Sequence, residues 1–218
     1  MKGFCLIKVI RKYTPQATID RLSIYHRTLV SLIEENKEKD LSIISSSRLS
    51  EITGIKSYQI RKDLSYFGEF GKRGIGYPVL ELTAILKEIL KSNQKWDLIL
   101  VGVGNLGTAL LHYKGFSKRG FRIRAVFDND LLKVGKRIGN IRIKPIQEME
   151  MYLKEQKIQI AIIAVPVQFA QEIADKIIAG GVRSILNFAP ISIKHPPEIS
   201  IKHIDIAIEL EKLVYYLL

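Results

Sequence analysis

The chain has 218 residues, of which 47% are apolar and 26% are charged, as in ordinary globular proteins. A chain that is disordered throughout is excluded, because enough apolar surface is present to offset the entropy lost on folding. Lysine and arginine number 34 against 22 aspartates and glutamates, which gives a net charge of +12. Such a positive field favours a polyanionic partner, and nucleic acid is the first candidate.

The number of cysteines and the length of the apolar runs restrict the cellular compartment in which we expect the protein. The single cysteine, Cys5, excludes an internal disulfide and a thiolate metal cluster. No apolar run approaches the ~20 residues of a membrane span, and the first residues lack the cleavage site of a signal peptide. We therefore expect a cytoplasmic protein without a membrane partner and without a bound metal.

The first 80 residues predict three helices and a hairpin. Thr14 and Pro15 fit the N-cap and the first helical position of the first helix. The predicted elements are an amphipathic helix from Pro15 to about Lys37, a helix from Arg48 to Ile52 capped by Ser45–Ser47, a helix capped by Ser57 that runs to about Phe67, and a glycine-rich basic hairpin over residues 68–76. This order is typical of a winged helix-turn-helix domain.

The third predicted helix has an apolar and a basic side. Ile60, Leu64 and Phe67 recur on one side and are expected to pack inward. The opposite side carries donors and hydroxyls that suit base edges and phosphates, and Arg73 at the hairpin tip suits a narrow minor groove. The candidate DNA-binding residues are Ser47, Ser57, Tyr58, Gln59, Arg61, Lys62, Ser65, Lys72, Arg73 and Gly74. The alternative is a solvated basic helix followed by a plain hairpin.

Beyond a connecting helix over Glu81–Leu90, strand and helix patterns alternate. This alternation predicts a parallel sheet with right-handed crossovers. The predicted strands are Leu98–Val101, Phe121–Asp128, Ile160–Val165 and Ser184–Asn187, and the predicted helices are Leu106–Tyr113, Ile146–Lys157 and Gln168–Ala179.

A GxGxxG motif, Gly102 to Gly107, directly follows the first predicted buried strand and opens a helix. In a dinucleotide-binding turn, Gly102 makes the tight turn, Gly104 lets the backbone approach a pyrophosphate, and Gly107 lets helix and strand pack closely. The helix N-terminus supplies amide donors for the phosphates. The sequence therefore predicts an NAD(H) site.

Asp128 ends the second predicted strand, about 20 residues beyond the motif, where a carboxylate accepts the ribose hydroxyls. It also repels a 2′-phosphate, so we expect NAD(H) to be preferred over NADP(H); Asp130 strengthens this preference and Lys133 opposes it. Two further strand ends, 165–166 and 187–190, lie where such sheets bind ligands, with Phe188 near the nicotinamide. The alternatives are a strand-end turn and ordinary loop packing. The candidate cofactor-binding residues are Gly102, Val103, Gly104, Asn105, Leu106, Gly107, Tyr113, Asp128, Val165, Pro166, Asn187, Phe188, Ala189 and Pro190.

No catalytic signature accompanies the nucleotide motif. A nicotinamide dehydrogenase needs an acid or base beside the hydride site. None of the four histidines lies in a recognisable catalytic sequence signature. We therefore expect a regulator and not an enzyme. Two alternatives stay open, an NAD-dependent oxidoreductase fused to a DNA-binding domain and a coenzyme A-binding regulator.

The end of the chain predicts an apolar helix over Ile206–Leu218 with Asp205 as its cap. The segment is too apolar for a solvent-facing terminal helix, so it must dock on its own chain or on a partner. A two-fold homodimer suits a helix-turn-helix protein, because paired half-sites need paired reading helices.

Three blocks together resemble the Rex family of redox-sensing transcriptional repressors. They are residues 59–77, residues 101–107 with Tyr113 downstream, and residues 185–190. The resemblance implies a winged-helix domain, a Rossmann domain and a homodimer with exchanged C-terminal helices. It also implies an inverted-repeat double-stranded operator, bound by the free or NAD⁺-bound protein and released when NADH binds.

The same resemblance assigns residues. Arg61, Lys62 and Arg73 match DNA-contacting positions, and Tyr113 matches a tyrosine near the nicotinamide. Arg21 and Asp205 match a pair whose contacts change between the two states, and Tyr113 is the third candidate switch residue. The domains predicted on this basis are a basic extension over 1–13, a winged helix over 14–80, a Rossmann domain over 81–204 and a swapped dimerisation helix over 205–218. The extension is either a tail, which we favour, or an arm that contacts DNA.

Overall fold

Helices dominate the chain before Gln94, and a parallel sheet dominates the chain after it. The computed structural model describes residues 14–35, 42–72, 74–215 and 217. Within it the chain divides into two compact units, one ending at Gln94 and the other beginning at Lys95. The predicted N-terminal extension and Arg73 lie outside the described residues.

The first unit is a winged helix-turn-helix. Strands β1 and β2 pair antiparallel, with Ile44 opposite Tyr77, and Lys72 bridges to Gly76 in the hairpin that precedes β2. Its elements are α1 (Gln16–Glu34), β1 (Ile43–Ile44), α2 (Ser46–Thr53), α3 (Ser57–Ser65), β2 (Tyr77–Pro78) and α4 (Val79–Ile89).

Two predicted helix caps are wrong by one residue and one is confirmed. Pro15 has an extended ψ of 140° and is the N-cap of α1, so the helix begins after it and not at it. Lys56 is the N-cap of α3, which leaves Ser57 as the first helical residue. Ser45 caps α2, because its hydroxyl accepts a hydrogen bond from the Arg48 amide at 3.0 Å.

The core of this unit includes the connecting helix. Leu22, Tyr25 and Leu29 of α1 pack with Ile60 and Leu64 of α3 in one buried cluster. Four residues of α4 belong to the same cluster, namely Val79, Leu82, Leu86 and Ile89. The predicted boundary after residue 80 is therefore wrong: α4 buries its apolar stripe in the core of the first unit, and the chain divides after Gln94.

The second unit is a seven-stranded sheet in the order β5-β6-β4-β3-β7-β8-β9. All pairings are parallel except that of β5 with β6. This is the strand order of a Rossmann sheet. The order reverses between β3 and β7, because β4, β5 and β6 lie on one side of β3 and β7, β8 and β9 lie on the other. The elements are β3 (Trp96–Val101), α5 (Asn105–His112), α6 (Gly115–Lys118), β4 (Phe121–Asp128), β5 (Arg137–Ile138), β6 (Ile141–Pro145), α7 (Met149–Gln156), β7 (Ile160–Ile163), α8 (Val167–Ala179), β8 (Ser184–Asn187), β9 (Ser200–His203) and α9 (Ile206–Val214).

Helices cover both faces of this sheet. Met149 and Leu153 of α7 and Ile173 of α8 pack on one face, while Leu110 of α5 and Phe116 of α6 pack on the other. The strand ends of β3, β4 and β7 are buried on both sides, which explains their continuous apolar runs. The α/β fold predicted from the sequence is confirmed.

Some predicted bounds in this unit differ from the structure. Strand β7 ends at Ile163, two residues before the predicted end at Val165. The segment predicted as a helix over 146–157 begins with a 3₁₀ turn, Ile146–Glu148. The β5–β6 hairpin and β9 were not predicted. Among the described residues, no helix is long and apolar enough to cross a membrane, and no cluster of ligating side chains suits a metal ion.

Candidate nucleotide site and nucleic-acid interface

The three motif glycines have different surroundings. Gly102 has a φ of +95°, and a Cβ there would overlap the carbonyl of Ala164, the residue directly after strand β7. A Cβ on Gly107 would overlap the Gly102 carbonyl, so α5 packs directly on the turn. Gly104 has no atom within 4 Å of the place a Cβ would take. Two glycines therefore serve packing, and Gly104 faces open space.

The start of α5 is built to receive an anion. Gly104 is its N-cap, with an extended backbone and no side-chain hydrogen bond to the first-turn amides. Amides at such a helix start have no partner within the helix and lie at the positive end of its dipole. The open space at Gly104 thus fits the pyrophosphate of a dinucleotide.

Asp128 ties the glycine loop to the turn after β4. Its side chain is 8% exposed, and its Oδ2 accepts the Val103 amide at 2.7 Å. Its Oδ1 accepts the Asp130 amide at 2.9 Å. Each carboxylate oxygen has capacity for a second hydrogen bond, so Asp128 can hold the loop and accept a ribose hydroxyl together.

A cavity of about 470 Å³ lies at the carboxyl ends of the central strands, where the strand order reverses. A ligand is expected at this point of such a sheet. The predicted residues that line it are Gly102, Val103, Gly104, Asp128, Val165 and Pro166. Tyr113 and residues 187–190 do not line it. The structure therefore brings together the candidates for the adenosine and phosphate end of a dinucleotide.

Asn187 uses its side chain within its own turn. It is fully buried; its Nδ2 donates to the carbonyls of Ala189 at 2.9 Å and Ile191 at 3.1 Å and lies 3.0 Å from Nδ1 of His203. Its Oδ1 accepts the Ala189 amide at 3.0 Å. These bonds make the amide a support for the turn that carries Phe188.

Tyr113 sits on an aromatic cluster at the end of α5. Its ring lies edge-on to Phe116, with 5.1 Å between ring centroids, and a Cβ on Gly115 would overlap it. Phe116 and Phe188 pack against the same buried cluster. Tyr113 itself is 58% exposed, so it is free to contact a ligand.

The recognition helix α3 presents its basic side to solvent. Ile60, Leu64 and Phe67 are buried as predicted. Tyr58, Arg61, Lys62 and Ser65 are exposed, and Nη1 of Arg61 donates to the Ser46 hydroxyl at 2.9 Å. A concave surface of about 700 Å³ between α3 and the hairpin is lined by predicted residues that include Ser47, Arg61, Ser65, Lys72 and Gly74.

A buried carboxylate that the sequence analysis did not single out anchors α3. Asp63 is fully buried and accepts two hydrogen bonds from Arg21 of α1, at 2.6 and 2.7 Å. It also accepts the Tyr25 hydroxyl at 2.8 Å and the Gln59 amide at 2.8 Å. Gln59 is therefore turned towards Asp63, unlike its neighbours on the helix. A carboxylate at a core-facing helical position was the signal in the sequence.

The hydrogen bonds to Asp63 shift the pKa values in this cluster. Burial acts to raise the pKa of Asp63, but the hydrogen bonds from Arg21, Tyr25 and Gln59 outweigh it and hold that pKa below its ordinary value. Burial, followed by the bond to Asp63, raises the pKa of Tyr25. Asp63 therefore stays ionised in the core of the unit, paired with Arg21.

Two of the predicted switch residues, Arg21 and Asp205, have separate partners. Arg21 is paired with Asp63. Asp205 caps α9 as predicted, since its Oδ1 accepts the Ala207 amide at 2.9 Å. Their exchange of contacts between two states stays a prediction.

Comparison with known proteins relates both units to described families. Residues 14–65 match the model "Putative DNA-binding protein N-terminus", and residues 93–191 match the model "CoA binding domain". The redox-sensing transcriptional repressor Rex of Desulfitobacterium hafniense is 47% identical, over 92% of this chain and 94% of its own. This chain belongs to the Rex family. A Rex relative from Desulforamulus reducens is 45% identical, over 93% of this chain and 95% of its own.

Solved structures agree with membership of the Rex family. The crystal structure of RSP in complex with β-NAD⁺ and operator DNA matches with a TM-score of 0.86 and 35% identity, over 93% of this chain and 92% of that one. RSP, described as a Rex-family repressor, also matches in complex with β-NADH, with a TM-score of 0.84 and 34% identity over 94% of each chain. Rex relatives are repressors, which confirms the prediction of a regulator and not an enzyme.

Proposed function

We propose that this chain is a homodimeric repressor that binds an inverted-repeat operator when it is free or bound to NAD⁺. It dissociates when NADH binds and so reports the cytoplasmic NADH/NAD⁺ ratio. The observation that carries the proposal is that one chain joins an exposed basic recognition helix to an open glycine cradle beside Asp128. RSP, the Rex-family repressor, has been crystallised with each of the corresponding ligands.

In this proposal the second unit holds the dinucleotide in an extended pose. Asp128 accepts the adenosine ribose hydroxyls, and the first-turn amides of α5 bind the pyrophosphate next to Gly104. Tyr113 and Phe188 lie towards the nicotinamide, supported by Phe116 and by the Asn187 turn. NADH and NAD⁺ differ at that ring by a charge and by planarity, so the switch must originate there.

The C-terminal helix supplies the dimer contact. No residue of α9 is buried in the single chain. The exposed apolar side chains at this end of the chain include Ile206, Ile208, Leu210, Leu213, Val214, Tyr215 and Leu217. A stripe of this kind fits a second copy of the chain, and a two-fold dimer places two recognition helices on the two operator half-sites.

The proposal is tested by fluorescence anisotropy of a labelled inverted-repeat operator at fixed salt. The protein is bound to the operator and then titrated with NADH, NAD⁺ and NADPH. We expect release at NADH concentrations far below those at which NAD⁺ or NADPH acts. Tight operator binding that is indifferent to all three would refute the redox switch and leave a DNA-binding protein with another ligand.

We expect Arg61→Ala to weaken operator binding and to lower the salt dependence of that binding. Arg61 is exposed on α3 and is held by the Ser46 hydroxyl. Loss of one phosphate contact lowers the slope of log K against log salt by about 0.9. Anisotropy at several salt concentrations measures this slope, and NADH binding should be unchanged. Arg183→Ala, which removes an exposed arginine of the other unit, is the matched control; an equal loss in both variants would contradict the role of Arg61.

Operator DNA should weaken NADH binding by the same factor by which NADH weakens operator binding. This reciprocity follows from thermodynamic linkage, and a 100-fold effect corresponds to about 2.7 kcal/mol of coupling. Titration calorimetry of NADH into the free protein and into the operator complex measures it. Equal NADH affinities in the two titrations would mean that the sites are not coupled.

Coenzyme A is the second candidate ligand, because the family model that matches residues 93–191 carries its name. Its 3′-phosphate would meet the buried Asp128 carboxylate, which disfavours it relative to NADH. Thermal shifts with each ligand separate the two: NADH should raise the melting temperature more than coenzyme A at equal concentration.

A further inference from the structure

Lys133 stands between the two carboxylates at the adenosine end of the cavity. Its Nζ lies 3.4 Å from Oδ2 of Asp130 and 3.8 Å from Oδ2 of Asp128. All three residues line the cavity. The lysine is 40% exposed, so its ammonium group is also open to a ligand.

The turn after β4 fixes this arrangement. The Lys133 amide donates to the Asp130 carbonyl at 2.9 Å, and the Asp130 side chain accepts the Leu132 amide at 2.9 Å. The hydrogen bond from the Leu132 amide, with smaller contributions from Lys133 and Lys136, holds the pKa of Asp130 below its ordinary value. The turn thus places two carboxylate side chains beside one ammonium group, that of Lys133.

This balance alters the specificity expected from Asp128 alone. A carboxylate that accepts the ribose hydroxyls repels a phosphate on the 2′ oxygen. Here Oδ2 of Asp128 lies 3.8 Å from Nζ of Lys133. A 2′-phosphate placed against Asp128 would therefore also lie against an ammonium group. The attraction offsets part of the repulsion, since both act over similar distances.

We propose that Lys133 makes the site tolerant of an adenosine ribose phosphorylated at the 2′ position, so that NADPH is a weaker ligand of the same pocket and Lys133 sets the ratio of the two affinities. The inference rests on the proposed function, because it requires the adenosine end of NADH in this cavity. Asp128 remains the cause of the preference for NADH, and Lys133 limits its size.

The test is titration calorimetry of NADH and of NADPH with the full chain and three variants. Lys133→Gln removes the charge and keeps a polar side chain, and Lys133→Arg restores the charge. Lys154→Gln is the control, because Lys154 forms a comparable exposed pair with Glu150 and does not line the cavity. Circular dichroism establishes that each variant is folded.

We expect measurable NADPH binding in the unmodified chain and an increase of about tenfold in the NADPH/NADH ratio of dissociation constants in Lys133→Gln, as for the loss of one close charge pair. Lys133→Arg and Lys154→Gln should keep the original ratio. An unchanged ratio in Lys133→Gln, an equal change in Lys154→Gln, or no NADPH binding at about 1 mM ligand would each overturn the inference. Failure of NADH itself to bind the unmodified chain would instead overturn the proposed function, and this inference with it.

Discussion

Gly104→Ala should lower NADH affinity at least ~30-fold, about 2 kcal/mol, while leaving the fold intact. Gly104 has a φ of −80°, and no atom lies within 4 Å of the position of a new Cβ. The added methyl group therefore meets neither strain nor a neighbour in the protein. It does occupy the space into which a pyrophosphate must come to reach the amides of α5.

The stability of the variant separates a blocked site from a damaged one. Replacing glycine by alanine where the backbone already suits alanine stabilises a protein by ~0.4–1 kcal/mol. We therefore expect a melting temperature equal to or slightly above that of the unmodified chain, together with weak NADH binding in calorimetry. Unchanged NADH affinity in a folded Gly104→Ala protein would exclude this backbone position from the phosphate site.

Gly107→Ala is the matched control within the same motif. Its Cβ would overlap the Gly102 carbonyl, which is backbone and has no rotamer to move. Helix α5 would have to shift away from the turn, so both the melting temperature and NADH affinity should fall. The two substitutions add the same methyl group three residues apart, and only their surroundings distinguish them.

Asp63→Asn should lower the free energy of unfolding by about 3 kcal/mol, as expected when one partner of a buried ion pair is removed. The carboxylate is fully buried and accepts hydrogen bonds from Arg21, Tyr25 and Gln59. Asparagine keeps the shape but leaves the Arg21 guanidinium without a counter-charge. Urea denaturation followed by circular dichroism measures the change.

The same cluster predicts how stability depends on pH. The pKa of Asp63 is lower in the folded chain than its ordinary value, so its contribution is complete above that ordinary value, near ~4. As pH falls below it, the unfolded state binds the proton first, and the contribution decreases towards the folded pKa. The difference in unfolding free energy between the unmodified chain and Asp63→Asn should therefore shrink below about pH 4.

Asp97→Asn provides a control for removing an aspartate that is paired with an arginine. Asp97 accepts two hydrogen bonds from Arg122, at 2.7 and 3.0 Å, but its side chain is 34% exposed and that of Arg122 is 55% exposed. Pairs in solvent contribute ~1 kcal/mol or less. A loss as large in Asp97→Asn as in Asp63→Asn would show that burial of the pair is not what matters.

Much of the site was predictable because its signals are local. The spacing of Gly102, Gly104 and Gly107 after an apolar run specifies a strand, a turn and a helix start. Strands β4 and β8 have the predicted bounds, since most of their residues are apolar and β-branched or aromatic side chains favour strands. Asp205 caps α9 because a cap depends only on residues two and three positions away.

Other features depend on segments that meet only after folding. Arg21 and Asp63 are separated by 42 positions, and nothing in the sequence around either one names its partner. Helix α4 is equally compatible with both units in sequence, and its place was decided by the apolar surface available on α1 and α3. The edge strand β9 was missed because its exposed residues lack a continuous apolar run.

The sequence by itself determined the fold class, the glycine turn, the basic recognition helix and the family, because periodicity and motif spacing are properties of neighbouring residues. Only the tertiary structure decided that Asn187 is hydrogen-bonded within its own turn and that the Lys133 ammonium group lies 3.8 Å from Asp128 and 3.4 Å from Asp130. These facts rest on distances between side chains that packing sets. Hydrogen-bond capacity and charge can be read from a residue's identity, but which groups use them is fixed only when the chain folds.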